Sequence, residues 1–285
     1  MPKLSPAESL VSTQWLADHL DAPDVRLVDA TWFHPSTGKQ GRGEYDAGHI
    51  PGAVFFDLDE IADSDNPLPH MLPSPAKFAS KVKKLGLGNG NRIVIYDRAS
   101  GGSAAARVWW SFRVFGHVEV SILDGGMAKW QAELRPVEDQ PPVTRERHFL
   151  PRVDQTLVRA KEQMLANLDG RREQVIDARS AGRFKGEEKE PWPHNKVGHI
   201  PGSLNLPWTE LVDPESKTFL PVEQIRAKFE AAGLSKDKPV VASCGSGVTA
   251  CVLAFGLYLT GRDDVAIYDG SWAEWGLAED TPVET

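Results

Sequence analysis

The chain has 285 residues, 41% apolar and 25% charged, with a formal net charge of -8. That composition can bury a sizeable core and has room for two domains. Its acidic balance, with Lys and Arg scattered, argues against a nucleic-acid surface or a polybasic membrane anchor.

The opening MPKLSPAESLVSTQWLADHL has no apolar core of signal-peptide type, and no run reaches membrane-spanning length. The expected home is therefore the cytoplasm, with the mitochondrial matrix left open. Apolar residues at helical spacing predict a first helix in STQWLADHL. Strands follow at RLVDA (26–30), AVFFD (53–57), IVIYD (93–97) and VSILD (120–124), separated by helical patterns in SPAKFASKVKKLG and SAAARVWWSFRVFG. Strands this apolar are covered on both faces, which predicts a parallel sheet between helices. RPVEDQPPVTRERHFLPRV then breaks the pattern with four prolines and no clear period. A linker is expected at 137–151, between domains 1–136 and 152–285.

The second half repeats the first. RLVDATW at 26–32 returns as QVIDARS at 174–180, and GHIPGAVFFDL at 48–58 as GHIPGSLNLPW at 198–208. RIVIYD at 92–97 matches PVVASC at 239–244, and VSILDGGMAKW at 120–130 matches VAIYDGSWAEW at 265–275. Four matches in one order mean a duplicated α/β domain.

The two halves differ in chemistry at one place. VVASCGSGVTAC (240–251) delivers Cys244 from a strand into a glycine turn before an apolar helix, the position where α/β sheets gather ligands. Gly245 and Gly247 let successive N–H groups face inward, and the helix adds its positive end, so a thiolate there is stabilised without a charged side chain. The alternative is a buried structural cysteine. Cys251, one turn into the apolar helix, reads as packing. Ser246 lacks the G-x-S-x-G spacing of a hydrolase nucleophile, which leaves it a supporting role. With only Cys244 and Cys251 present, there is neither a disulfide framework nor a four-thiolate zinc site.

The paired GHIPG, the DGG and DGS turns ahead of Trp130 and Trp275, and CGSGVTA together resemble the two-domain rhodanese-type sulfurtransferases, over essentially the whole chain. The resemblance implies two five-stranded parallel sheets with helices on both faces, and one active cysteine, in the second domain. Asp97 stands at the matching place in the first, where no sulfur can be carried. The loop CGSGVT is similar to that of the members that use 3-mercaptopyruvate. Thiosulfate-using members have a loop similar to CRKGVT, and related phosphatases a longer loop ending in arginine.

The resemblance further implies that Arg183 holds the substrate's carboxylate end, and that Gly245, Gly247, Val248 and Thr249 form the binding loop. Ser246, His70 and Asp59 would form a hydrogen-bonded relay. It implies a persulfide on Cys244, passed to a thiol, cyanide or a thioredoxin-like acceptor, with no metal or organic cofactor. The alternatives are a thiosulfate sulfurtransferase and a persulfide-relay or binding module. One departure stands out. The family's mercaptopyruvate-using members carry a second arginine in a stretch similar to EPEPR, whereas EKEPWPHNK has Trp192 there. Lys189, His194 or Lys196 are the candidates to supply the missing charge, and Trp192 could instead cover the pocket with an aromatic face.

Overall fold

The computed structural model describes residues 4–98, 102–191 and 196–285. Trp192 and His194 lie outside the described residues. Two compact units form, and neither is one continuous stretch: the first comprises Met1–Ser64, Leu72–Asp154 and Asp213–Phe219, the second Asp65–Met71, Gln155–Val212 and Leu220–Thr285.

The first unit is built on β1 (Leu10–Val11), β2 (Val25–Asp29), β3 (Ala53–Phe55), β4 (Arg92–Tyr96) and β5 (Val120–Leu123), in the order β1-β5-β4-β2-β3. The second repeats it with β6 (Val158–Arg159), β7 (Gln174–Asp177), β8 (Leu204–Asn205), β9 (Val240–Ser243) and β10 (Val265–Tyr268), in the order β6-β10-β9-β7-β8. Every pairing within these sheets is parallel. β5, β9 and β10 are buried at every residue, as strands with helices on both faces must be. The expected α/β class and five-stranded parallel sheets are both present.

Local chemistry sets the helix ends. Ser74 accepts the Lys77 N–H ahead of Pro75, so an oxygen cap and a preset first residue start the helix Pro75–Lys84. Phe78 of that helix stacks on Phe115 with centroids 4.2 Å apart and meets Phe112 edge-on at 5.3 Å. Phe149, from the stretch expected as a linker, joins the same cluster at 5.7 Å from Phe78. Residues 137–151 thus run as a strap along the first unit.

The duplicated GHIPG explains how each unit holds a later stretch of chain, the strap in the first and the segment around Glu284 in the second. His49 stacks on Tyr45 at 3.9 Å and binds its carbonyl through Nδ1 at 2.9 Å. His199 does the same on Phe184, at 3.7 and 2.8 Å. Each histidine's backbone then forms an antiparallel bridge, His49 to Glu138 and His199 to Glu284. The glutamate side chains return to accept the N–H of Gly52 and of Gly202, at 2.7 and 2.9 Å. Trp130 and Trp275 add matching bonds, each indole N–H donating to a proline carbonyl, Pro136 or Pro282, at 2.8 Å. The motif that shows the repeat most clearly is therefore a structural clasp.

Asp213–Phe219 is fixed to the first unit by the Phe219 N–H, which donates to Asp124 Oδ1 at 2.8 Å. Burial pushes the Asp124 carboxyl up to about 6. A carboxyl raised above its unfolded value binds a proton more readily in the native state, so its ionisation lowers stability as pH rises from about 4 to about 6. Asp124→Asn keeps an accepting oxygen without the buried charge. At about pH 7 the variant is expected to be more stable than wild type by about 1–2 kcal/mol, with the gap closing near pH 4. Urea unfolding at both pH values checks this, and a wild type as stable as the variant at the higher pH contradicts it.

Candidate active site

Cys244 follows the last residue of β9 and is 1% exposed. Its backbone is tied on both sides. The Cys244 N–H donates to Ser271 Oγ at 3.2 Å, and its carbonyl accepts the Trp272 N–H at 3.0 Å. The Gly245 carbonyl accepts the Ala273 N–H at 2.8 Å, so the DGS turn seen in the sequence is the wall that braces the cysteine. Gly247 has φ +74°, a left-handed turn that glycine adopts without steric cost, and it swings the chain into the helix Ala250–Leu259. Val248 and Ser246 are buried with it, at 4% and 7% exposure. Cys251 is fully buried in that helix, its thiol donating to the Gly247 carbonyl at 3.2 Å. Neither cysteine is in a disulfide.

Ser246 Oγ lies 3.0 Å from His70 Nδ1, a buried hydrogen bond whose direction depends on the imidazole tautomer. His70 precedes the linker in sequence, yet it belongs to the second unit through Asp65–Met71. It has φ +61° and is 8% exposed, a strained backbone of the kind that surrounding structure must impose. Asp59 belongs to the first unit, where Oδ2 accepts the Trp32 indole N–H at 2.9 Å.

Arg183 lies on the short helix Ala181–Phe184 with a side chain 22% exposed. Its Nε and Nη2 donate to the two oxygens of Glu190, at 3.3 and 2.5 Å. A side-on grip of this kind leaves the outer edge of the guanidinium for another acceptor. Glu190, its side chain 2% exposed, also accepts from Arg179 Nη1 at 2.7 Å. Arg179 is buried outright. It grips Asp177 through Nε and Nη2, donates to the Gly198 carbonyl at 2.7 Å, and lies 4.2 Å over the Trp272 ring. The buried charges Asp177, Arg179 and Glu190 thus end at Arg183 on one side. On the other they meet the tryptophan whose N–H holds the Cys244 carbonyl. Lys196 is not available to replace a missing cation, because its ammonium is held by the carbonyls of Ala278 and Thr281 at 2.6 and 2.7 Å. Among the described residues no three His, Cys, Asp or Glu side chains cluster as a metal site.

A model of the rhodanese-like domain matches residues 12–133 and again 160–278. The chain belongs to the rhodanese family. It is 44% identical over 272 residues to the 3-mercaptopyruvate sulfurtransferase of Rattus norvegicus, covering 94% of this chain and 91% of that one. It is also 44% identical over 273 residues to the thiosulfate sulfurtransferase of Bos taurus, with the same shares covered. The crystal structure of SseA from Escherichia coli, described as a 3-mercaptopyruvate sulfotransferase, superposes with TM-score 0.85 at 39% identity, covering 93% of this chain and 98% of that one. The protein is a two-domain rhodanese-family sulfurtransferase.

In the first rhodanese domain the same frame carries Asp97. Its carbonyl accepts the Met127 N–H at 3.1 Å, as Cys244 does from Trp272, while Oδ2 accepts the Ala105 N–H at 2.8 Å. The cysteine position has become a helix anchor.

Sequence reading missed Asp177, Arg179, Glu190 and Ser271. Ser271 carried a signal, since the repeat places Gly126 opposite it. Both adopt the left-handed region, at φ +53° and +48°, and a serine there is strained. What offsets the strain is its hydroxyl, which accepts from Cys244 and donates to the Tyr268 carbonyl at 2.8 Å. Ser271→Ala is expected to cost about 1–3 kcal/mol through the orphaned amide and to slow sulfur transfer. Ser271→Gly relieves the strain, so it should recover stability without recovering activity. Urea unfolding and kcat/KM on both variants check this, and a fully active glycine variant contradicts it.

Proposed function

We propose that the protein takes sulfur from 3-mercaptopyruvate and passes it, through a persulfide on Cys244, to a thiol, cyanide or a thioredoxin-like acceptor. The observation that carries the reading is a buried cysteine in a glycine loop without any cation, beside an arginine whose outer edge is open. A loop without cations suits a donor whose anionic group lies away from the transferred sulfur and is held by Arg183.

In the first step the Cys244 thiolate attacks the substrate sulfur and forms an S–S bond. The carbon–sulfur bond breaks, its electron pair passes to carbon, and pyruvate leaves as its enolate, then takes up a proton. Arg183 holds the carboxylate and carbonyl oxygens and spreads the enolate charge, while loop N–H groups from Gly245, Gly247, Val248 and Thr249 steady the sulfur anion. Ser246 with His70, backed by Asp59, is the proposed route for the proton. In the second step the acceptor thiolate attacks the outer sulfur and Cys244 leaves as thiolate. The first domain, with Asp97 in place of cysteine, carries no sulfur. The proposed home is the cytoplasm, where thiols stay reduced.

Thiosulfate is the second reading, favoured by the equal identity to a thiosulfate sulfurtransferase. Steady-state kcat/KM for the two donors with one acceptor tests the choice. A higher value for mercaptopyruvate is expected, and a higher value for thiosulfate would overturn it.

A further inference from the structure

A cavity of about 330 Å³ in the first unit is lined by none of the candidate active-site residues. It touches Val25 and Arg26, the opening residues of β2, so it lies at the amino end of that strand, opposite the end where Asp97 follows β4. Its floor is Leu16, Leu20, Leu27 and Val54. One wall is the strap, from Pro142 to Arg147.

The strap is pinned on both sides of this wall. At one end Glu138 is bridged to His49. At the other, Thr144 Oγ1 donates to the Lys84 carbonyl at 3.2 Å, the Asn89 N–H to the His148 carbonyl at 3.0 Å, and the Leu150 N–H to Asn89 Oδ1 at 2.6 Å. Gly88 allows the close approach, since a Cβ there would lie 2.8 Å from the His148 carbonyl oxygen. Between the pins, Pro141 and Pro142 restrict the arch. The wall is a built element of the fold.

Arg26, Arg145 and Arg147 line the cavity, and no carboxylate does. Arg26 gives one N–H to the Val25 carbonyl at 2.5 Å. Among the described residues the guanidiniums of Arg145 and Arg147 have no hydrogen-bond or ion-pair partner. Burial, and then the nearby Arg147, hold Arg26 below the usual arginine range, with Asp24 opposing them. In a chain of net charge -8, three cations gathered over an apolar floor form a local field that an anion would relieve. The matching cavity of the second unit, about 190 Å³, has its own counter-charge: beside Arg171 and Lys238 it is lined by Glu173, which Arg159 holds at 2.6 Å.

We propose that the first-unit cavity binds a small amphipathic carboxylate, its alkyl or aryl body on Leu16, Leu20, Leu27 and Val54 and its head between Arg26, Arg145 and Arg147. The volume falls at the lower end of the range that holds small organic ligands, and guanidinium forks match a carboxylate in geometry as well as charge.

Titration calorimetry of the full chain with octanoate, acetate and octylammonium tests this. Octanoate is expected to bind saturably at one site, with acetate at least about tenfold weaker for want of a tail and octylammonium not binding. The double variant Arg145→Ala/Arg147→Ala, confined to exposed side chains, should weaken octanoate by about tenfold or more and leave sulfur transfer unchanged. Cys244→Ser should bind octanoate as wild type does, which separates this site from the active one. Absence of saturable octanoate binding, equal affinity in the double variant, or equal binding of acetate or octylammonium would overturn the proposal.

Discussion

Cys244→Ser is expected to reduce sulfur transfer by about three orders of magnitude or more, since a hydroxyl in the thiol's place can neither attack the donor sulfur nor carry it. The substitution is small and the Cys244 backbone is braced by Ser271 Oγ and the Trp272 N–H, so the fold should persist. Steady-state rates with each donor, beside urea unfolding of both proteins, separate loss of chemistry from loss of structure. Substantial residual activity in a folded variant would place the sulfur elsewhere.

The second large effect is expected at Glu190. This carboxylate is buried between Arg179, itself fully buried, and Arg183. Removing one partner of a buried ion pair leaves the other charge uncompensated, so Glu190→Ala should cost about 3 kcal/mol, the remaining grip of Asp177 on Arg179 limiting the loss. It should also raise KM for an anionic donor more than it lowers kcat, because Arg183 loses the side-on contact that aims its outer edge while the Cys244 loop stays intact. Glu190→Gln, which keeps the shape and one accepting oxygen, should fall between. Urea unfolding and the split of kcat from KM read these effects. An unchanged KM in a folded Glu190→Ala would show that Glu190 serves stability alone.

Much of the fold could be read from the sequence because duplication shows a pattern twice. The strands around Asp29 and Asp177, the glycine loop after β9, and the loss of cysteine at Asp97 all lie in contiguous motifs. The stretches 65–71 and 213–219 were not legible as members of the opposite unit, because their allegiance is decided by distant partners such as Ser246 for His70 and Asp124 for Phe219. Arg179 and Glu190 escaped for the same reason. An arginine two residues after a strand aspartate looks like a solvated side chain until the fold encloses it between Asp177, Glu190 and Trp272. Ser271 is the intermediate case, since the repeat set it opposite a glycine, but only its backbone angle reveals that the hydroxyl works for Cys244. GHIPG misleads in the opposite sense: it is the most conspicuous motif and serves to clasp the chain around Glu138 and Glu284.

Intact-mass and peptide spectrometry of the protein after 3-mercaptopyruvate is added without an acceptor tests the central claim most directly. A gain of one sulfur atom on the peptide carrying Cys244, lost when a thiol or cyanide follows and matched by pyruvate released, is the predicted result. Release of pyruvate with no sulfur on Cys244, or the added sulfur on the same peptide in Cys244→Ser, would contradict it.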